Sequence, residues 1–381
     1  MERILVTPRN KWQEQVEALG FIFHTPNPKE LYWDESVCYA FSMEQVETIE
    51  TATIEVYDMF LSAAQHIIDN NLFHLLKIPE LIIPYLKEQW NNESPAIYGR
   101  FDFSYDGTRV PKLLEFNADT PTSVFEAAIV QWYWLKNYDV TQDQFNSIHE
   151  KLIDYWAYLK PYIRPGALYF SCIKDNVEDF TTTEYLRDTA QQAGIETRFI
   201  DISEVGYDSN LNLFVDKSGN PIKNLFKLYP WEWLANEEFA PYICQDICTF
   251  IEPAWKMLFS NKAILPILWE LFPNSPYLLP AYFDSNGMKD YAKKPILSRE
   301  GANITLYKNG KPLHESGGEY GSEGFIFQAL AELPNFDEKF PVIGSWIIGQ
   351  QPAGMGIRES DSPITNDKSR FVPHFIETVE V

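Results

Sequence analysis

YGRFDFSYDGTRVPKLLEFNADTPT, residues 98–122, is the stretch whose reading decides the fold. Two runs of alternating polar and apolar residues flank Asp106-Gly107, a hairpin turn signal. Side chains alternate faces along a strand, so Arg100 and Asp102 share one face of the first run, and Glu115 and Asn117 share one face of the second. Phe101, Phe103, Leu114 and Phe116 make the opposite, apolar face, which belongs in a core. The polar face gathers two carboxylates, an amide oxygen and a guanidinium. A solvated outer face seldom collects that set, whereas an all-oxygen ligand group suits Mg²⁺, which keeps several waters and bridges to nucleotide phosphates.

The composition limits what such a site serves. The chain has 381 residues, 45% of them hydrophobic and 15% aromatic, enough for two or three packed subdomains. Its formal charge of −23 argues against a nucleic-acid partner, because phosphate backbones attract basic surfaces. An acidic field draws cations instead, amines and Mg²⁺ among them. The N-terminus lacks the apolar segment of a signal peptide, and no run approaches the roughly 18 apolar residues that span a bilayer. The expectation is a soluble, cytoplasmic protein without a membrane partner. Cys38, Cys172, Cys244 and Cys248 are too few for a disulfide framework and read as buried thiols; Cys244 and Cys248 sit at helical spacing.

No internal repeat or low-complexity linker interrupts the chain. Residues 42–76 carry a helical stripe of Val46, Ile49, Thr53, Val56, Phe60, Ala64 and Ile67, opened by a Ser42–Gln45 capping box. Further helices are expected over 78–90, interrupted by Pro79 and Pro84, and over 124–134 and 144–160. A strand at 167–171, a helix at 181–193 and a strand at 196–202 form a β-α-β unit and so a parallel sheet, without the glycine-rich dinucleotide fingerprint. Another strand at 224–229 runs into Trp231-Glu232-Trp233. A helix at 263–272 is then followed by strands at 294–297, 304–307, 324–329 and 340–349. A strand-rich tail after a helical opening indicates an α+β arrangement.

Lys293 and Lys294 begin a strand that runs into the turn Ser298-Arg299-Glu300-Gly301-Ala302-Asn303. A lysine beside a glycine-containing turn is one way to hold phosphates, although the spacing taken alone favours an ordinary hairpin with surface lysines. Arg358, in a glycine-spaced strand, suits a bidentate grip on a carboxylate or phosphate, or a salt bridge to Glu359 or Asp361. Glu232 lies between two indoles at a strand end. The six histidines have neither metal spacing nor a nucleophile partner, which disfavours a hydrolase or a zinc enzyme.

YGRFDF with LLEFNADTPT, WEW after a strand, EPAWK before SNKAILPILWELFP, YAKKPI, FIFQALAELP and GIRESDSPI occur in colinear order. Together they resemble the synthetase domain of the glutathionylspermidine synthetase family, a circularly permuted ATP-grasp group. The resemblance implies an ATP-grasp-like fold with a preATP-grasp α/β subdomain. Residues 1–95 would be a helical segment packed on the synthetase core. Residues 96–260 would hold the metal-site hairpin and preATP-grasp region, and 261–381 the nucleotide-binding ATP-grasp region. It implies an ATP-dependent carboxylate–amine ligase working through an acyl phosphate; a non-catalytic or regulatory nucleotide-binding protein on the same fold is the alternative. Carried over position by position, Asp102, Glu115 and Asn117 would hold Mg²⁺. Arg100 would bind phosphate and act with Arg358 in catalysis, Lys294 and Gln328 would contact ATP, and Thr120, Thr122, Glu232 and Arg358 would line the acid pocket. The implied partners are a peptide-like acid, glutathione being a candidate, and an amine such as a polyamine. Thr120 and Thr122 replace family serines, and Lys256 stands where the family pattern has a smaller polar residue. The amidase domain of bifunctional members has no counterpart here, so hydrolysis of the product is not expected. The turn over 299–303 is expected to close as a lid.

Overall fold

The computed structural model describes residues 1–28, 30–366 and 368–378. Residues 98–122 fold as the hairpin: Tyr98–Ser104 pairs antiparallel with Lys112–Asn117, placing Arg100 opposite Asn117 and Asp102 opposite Glu115. A bulge interrupts the ladder after Asp102 and pairs Phe103 with Leu113. An extra residue on one strand reverses the inside–outside alternation beyond it. Leu113 is therefore fully buried, and Leu114, expected in the core, lines the functional cleft instead. The connection is also longer than a two-residue turn. Asp106 organises it by accepting the backbone N–H groups of Thr108 and Arg109, at 2.9 and 2.8 Å.

The apolar face of the hairpin is closely packed. Phe101 and Phe116 stack with centroids 3.8 Å apart, and Phe60 meets both edge-on. Gly99 leaves room for this stack, since a Cβ there would lie 2.6 Å from the Phe116 ring. Phe60 comes from the helix Met43–Asp69, which has the expected capping box and buries every residue of the expected stripe. The later helices begin elsewhere than expected: Ile83–Asn91 starts with Pro84 in its first turn, and Ile148–Leu159 starts four residues late.

The hairpin is the edge of a five-stranded antiparallel sheet ordered Arg370–Val372, Gln351–Ser360, Phe340–Ile348, Tyr98–Ser104, Lys112–Asn117. The expected β-α-β unit forms a parallel sheet ordered Thr249–Ile251, Asn224–Leu228, Leu168–Cys172, Thr197–Asp201, with the helix Val177–Gln192 as a crossover. A second five-stranded antiparallel sheet runs Ala281–Tyr282, Phe325–Ala329, Tyr291–Pro295, Thr305–Lys308, Lys311–Glu315. Near the two chain ends, Glu2–Leu5, Val37–Phe41 and His374–Ile376 share a small sheet. No helix among the described residues is long and apolar enough to cross a membrane. Cys38, Cys172 and Cys248 are buried free thiols. Cys244 follows the short helix Ala240–Ile243 and Cys248 precedes Thr249–Ile251, so the two do not share a helix face.

Replacing Phe116 by Ala should cost about 3–5 kcal/mol, the range for emptying a buried aromatic site. Phe116 lies between Glu115 and Asn117, so the variant should also loosen their strand. Urea unfolding followed by tryptophan fluorescence measures the first effect, and amide exchange of residues 112–117 the second.

Candidate active site

All ten residues singled out for chemistry line one cleft of about 740 Å³: Arg100, Asp102, Glu115, Asn117, Thr120, Thr122, Glu232, Lys294, Gln328 and Arg358. Its walls are the polar face of the hairpin sheet, the 281–329 sheet, and the residues that follow the carboxyl ends of parallel strands Leu168–Cys172 and Asn224–Leu228. Strand carboxyl ends are where α/β sheets commonly place ligands.

Asp102, 2% exposed, is the hub of the polar face. Its Oδ1 accepts Arg100 Nε at 2.8 Å, and its Oδ2 accepts Arg358 Nη2 at 2.6 Å and Asn117 Nδ2 at 3.0 Å. Arg100 also donates to the Thr122 carbonyl at 2.7 Å. Gly344, opposite Asp102 on the neighbouring strand, makes room for this arginine: a Cβ there would lie 2.8 Å from Arg100 Cδ. Glu115 pairs with Lys262 at 3.2 Å. Burial would raise the Glu115 carboxyl, but Lys262, Lys294 and Arg358 hold it down at about 2. Lys294 Nζ donates to the Leu114 carbonyl (3.0 Å) and to Gln328 Oε1 (2.7 Å), and Gln328 in turn donates to the Leu113 carbonyl.

This pole is more cationic than its two carboxylates can balance. Burial, aided by neighbouring Lys262, pushes Lys294 down to about 8 in spite of Glu115 and Asp102. Burial and Arg100 likewise lower the Arg358 guanidinium. Cations depressed in this way gain when a polyanion arrives. Asp102 and Glu115 sit opposite each other with Asn117 beside them, and turning the Asn117 amide over would present its Oδ1. That set fits Mg²⁺ shared with phosphate oxygens and water. It does not make a closed cage, and among the described residues no group of three or more His, Cys, Asp or Glu does so elsewhere.

The remaining predicted residues surround a second part of the cleft. Thr120 Oγ1 accepts Arg299 Nη1 at 2.6 Å, and Glu232 Oε1 accepts Arg299 Nη2 at 3.1 Å. Trp231-Glu232-Trp233 is a helical turn, Trp231–Leu234, and not a strand end; it buries the Trp231 ring and leaves Trp233 38% exposed. Asp119 fixes this turn. Its Oδ2 accepts the Trp231 backbone N–H at 2.8 Å, while Oδ1 takes the fully buried Lys227 ammonium at 2.5 Å. Lys256 lies beneath the hairpin, bonded to the Tyr98 and Ala118 carbonyls and paired with Glu252, and is not part of the cleft lining.

An acidic cluster beside the cleft went unread in the sequence. Burial and Glu178 push Asp179, a cleft residue, up to about 7, against the pull of Arg299. Burial and Glu178 push Glu126 up to about 8. Glu126 Oε1 accepts the Tyr32 hydroxyl at 2.8 Å, and its buried Oε2 has no partner among the described residues. Glu126 opens a π-helical turn, Glu126–Val130, a feature frequent at functional sites. The available signal was a lone glutamate inside the apolar run of the 124–134 helix. Lys262 and Arg299 were also missed as site residues. Arg299 lay within a turn already singled out, whereas Lys262 carried no local signal.

The chain is an ATP-dependent ligase that joins an acid to an amine, the class that its family and relatives define and with which the charge layout of this cleft accords. The chain belongs to the glutathionylspermidine synthase preATP-grasp family, whose profile matches residues 3–377. It is 40% identical to a Haemophilus influenzae protein provisionally named an acid–amine ligase, covering 98% of this chain and 99% of that one. It is 30% identical to the trypanothione synthetase of Crithidia fasciculata, over 83% of this chain and 53% of that protein. It is 27% identical to the bifunctional glutathionylspermidine synthetase/amidase of Escherichia coli K12, over 95% of this chain and 63% of that protein. The chain thus spans one relative almost entirely and roughly half to two-thirds of the other two. A glutathione synthetase-like effector of Globodera pallida shares the fold, with a TM-score of 0.58, 11% identity and 98% coverage of both chains.

Lys227→Met should cost about 3–5 kcal/mol, because it leaves Asp119 as an uncompensated buried charge. Thermal unfolding of the variant measures this. The pairwise part should emerge as non-additivity with Asp119→Asn in a double-mutant cycle.

Proposed function

We propose that the cleft joins a peptide-like acid, with glutathione the leading candidate, to a polyamine, and that Asp102, Glu115 and Asn117 hold Mg²⁺ against the nucleotide phosphates. The observation that carries this reading is the pairing of opposite poles in one cleft. Arg100, Arg358, Lys262 and Lys294 surround two carboxylates on one part of the lining, and Asp179, with Glu178 beside it, lines another. A cationic pole suits polyphosphate and an acidic pole suits a polycation.

The nucleotide, when bound with its metal, supplies the phosphoryl group that activates the acid as an acyl phosphate. Arg100, Arg358, Lys262 and Lys294 neutralise the repulsion between the acid's carboxylate and the terminal phosphate. Carboxylate oxygen then bonds to phosphorus as the bond to the ADP oxygen breaks. In the second half, the amine nitrogen attacks the acyl carbon, and phosphate leaves with the bonding electron pair. Asp179, with its carboxyl near 7, is poised to take the proton the amine must lose. Arg299, Glu300, Gly301 and Ala302 line the cleft, where the segment would close over the activated acid and keep water from it. Free thiols accord with a cytoplasmic location for the reaction.

Incubation with MgATP and a panel of acids and amines that includes glutathione and spermidine should release ADP only when both substrates are present. Asp102→Asn and Glu115→Gln should each slow release about 10²-fold or more. Absence of ADP with every pair would refute the proposal.

The acidic pole predicts a pH signature. Folded-state pKa values above the usual carboxylate range mean that Asp179 and Glu126 carry protons near neutrality, and a bound polycation favours their ionised forms. Polyamine affinity should therefore strengthen as pH rises from 6 to 8, with proton release on binding. Calorimetry in buffers of different ionisation enthalpy measures both effects, and Asp179→Asn should reduce the proton count.

A further inference from the structure

The two strands of the hairpin part company just beyond the residues assigned to the metal. Their last ladder pair is Arg100 with Asn117. Past it, one strand continues to Tyr98, which pairs with Ile348 on its other side, and the other chain runs through Ala118 toward Thr120 and Thr122. A buried ammonium bridges this divergence. Lys256 Nζ donates to the Tyr98 carbonyl at 2.8 Å and to the Ala118 carbonyl at 3.0 Å. Glu252 Oε2 stands 3.3 Å from the same ammonium, an ion-pair contact short of a hydrogen bond. Glu252 Oε1 accepts the backbone N–H groups of Ile97 and Tyr98, at 2.9 and 3.2 Å. The pair therefore grips Tyr98 by both its N–H and its carbonyl, and ties it across to Ala118.

Stability gives no reason for charge at this place. Lys256 is 2% exposed and Glu252 is fully buried. Burial lowers the ammonium and raises the carboxyl, each shift being opposed by the partner. Apolar residues of similar volume often hold a core as well as a buried ion pair does, or better. What they cannot supply is a donor for two carbonyls on separate strands. The ammonium comes from the layer that supports the hairpin: Lys256 opens the helix Lys256–Ser260, whose Phe259 packs against Phe60 and Phe116. Both parts of the cleft depend on where the strands diverge. Asn117 ends one strand immediately before Ala118. The Tyr98 hydroxyl donates to the Pro121 carbonyl at 2.9 Å, and Arg100 donates to the Thr122 carbonyl at 2.7 Å. A shift between Tyr98 and Ala118 would move Asn117 against Asp102 and would move the 120–122 segment against Arg100. A working ligand set tolerates displacements of only roughly 0.5 Å.

We infer that Lys256, backed by Glu252, is a positioning residue for the metal hairpin: it fixes the gap at which the strands bearing Asp102 and Asn117 diverge, and so the geometry in which Asp102, Glu115 and Asn117 meet a divalent cation on nucleotide phosphates. This rests on the metal-site reading above and adds a residue that acts from outside the cleft lining.

The test is the factor by which Mn²⁺ strengthens binding of a non-hydrolysable ATP analogue. Calorimetric titration measures it for the full-length wild type and for two double variants, Glu252→Gln with Lys256→Gln and Glu252→Gln with Lys256→Met. Neither variant leaves a buried charge unpaired, and the two differ only in whether residue 256 donates hydrogen bonds. The Met variant should lose about tenfold or more of the Mn²⁺ effect, as when an outer partner of a metal ligand is removed, while nucleotide binding without metal changes little. The Gln side chain, one atom shorter than Lys, should fall between the Met variant and the wild type. A folded Met variant with the wild-type Mn²⁺ effect, or an equal loss with and without metal, would overturn the inference. If the Met variant does not fold, the Gln variant carries the test, and a wild-type Mn²⁺ effect in it would overturn the inference. Failure of both to fold would assign the pair to stability and overturn it as well. Absence of any Mn²⁺ effect in the wild type would sink the metal reading itself, whereas an equal effect in all three proteins would sink this inference alone.

Discussion

One carboxylate, Asp102, holds the polar half of this molecule in register. It accepts from Arg100 on its own strand, Asn117 on the next, and Arg358 on a strand more than two hundred residues away in sequence. With only 2% of its surface exposed, it has few water contacts to stand in for these donors. A buried acid that lost one would retain its charge without its compensation. The sheet around it is arranged to permit the arrangement, Gly344 giving Arg100 its space and the aromatic stack behind the hairpin fixing the pitch of both strands. The same group that organises the sheet also lines the cleft.

The chain as a whole is strongly acidic, yet the pole around Asp102 is cationic, and both facts act through burial. In low dielectric an uncompensated charge is expensive, so Lys294 drifts down toward 8 among cations while Asp179 and Glu126 drift up among acids. The two shifts have opposite sign and a common cause. Each describes a group whose charged form is disfavoured by its surroundings and would be favoured by a neighbour of the opposite charge. An ordinary acidic surface, with its charges in water, would show neither shift.

Local periodicity made the hairpin, the long capped helix and the β-α-β unit legible, because each is specified by a period of two or 3.6 and by turn or cap residues a few positions away. The ten expected site residues came from short colinear motifs that resemble a known family, and only Arg100, Asp102, Glu115 and Asn117 lie on the hairpin itself. What could not be read was non-local. The bulge at Asp102 is set by the pairing of two strands and not by either sequence, so Leu114 was assigned to the wrong face. Val37–Phe41 and His374–Ile376, near the two chain ends, find each other from opposite ends of the sequence. Lys262 looks like an ordinary helix-flanking lysine until the fold brings Glu115 to within 3.2 Å. Glu126 was visible as a residue but not as a site, because only the tertiary structure puts Glu178 near it.

These non-local residues also join what the motifs leave separate. Glu115 pairs with Lys262, Lys262 donates to the carbonyl of Ser298, and Ser298 precedes Arg299. Arg299 holds Glu232, whose turn is pinned through the Trp231 N–H by Asp119, itself fixed by buried Lys227. The cationic group around Glu115 and the turn that carries Glu232 are therefore ends of one continuous run of polar contacts through Ser298 and Arg299. A ligand that replaces Lys262 as the partner of Glu115, or Glu232 as the partner of Arg299, changes the footing of that same segment.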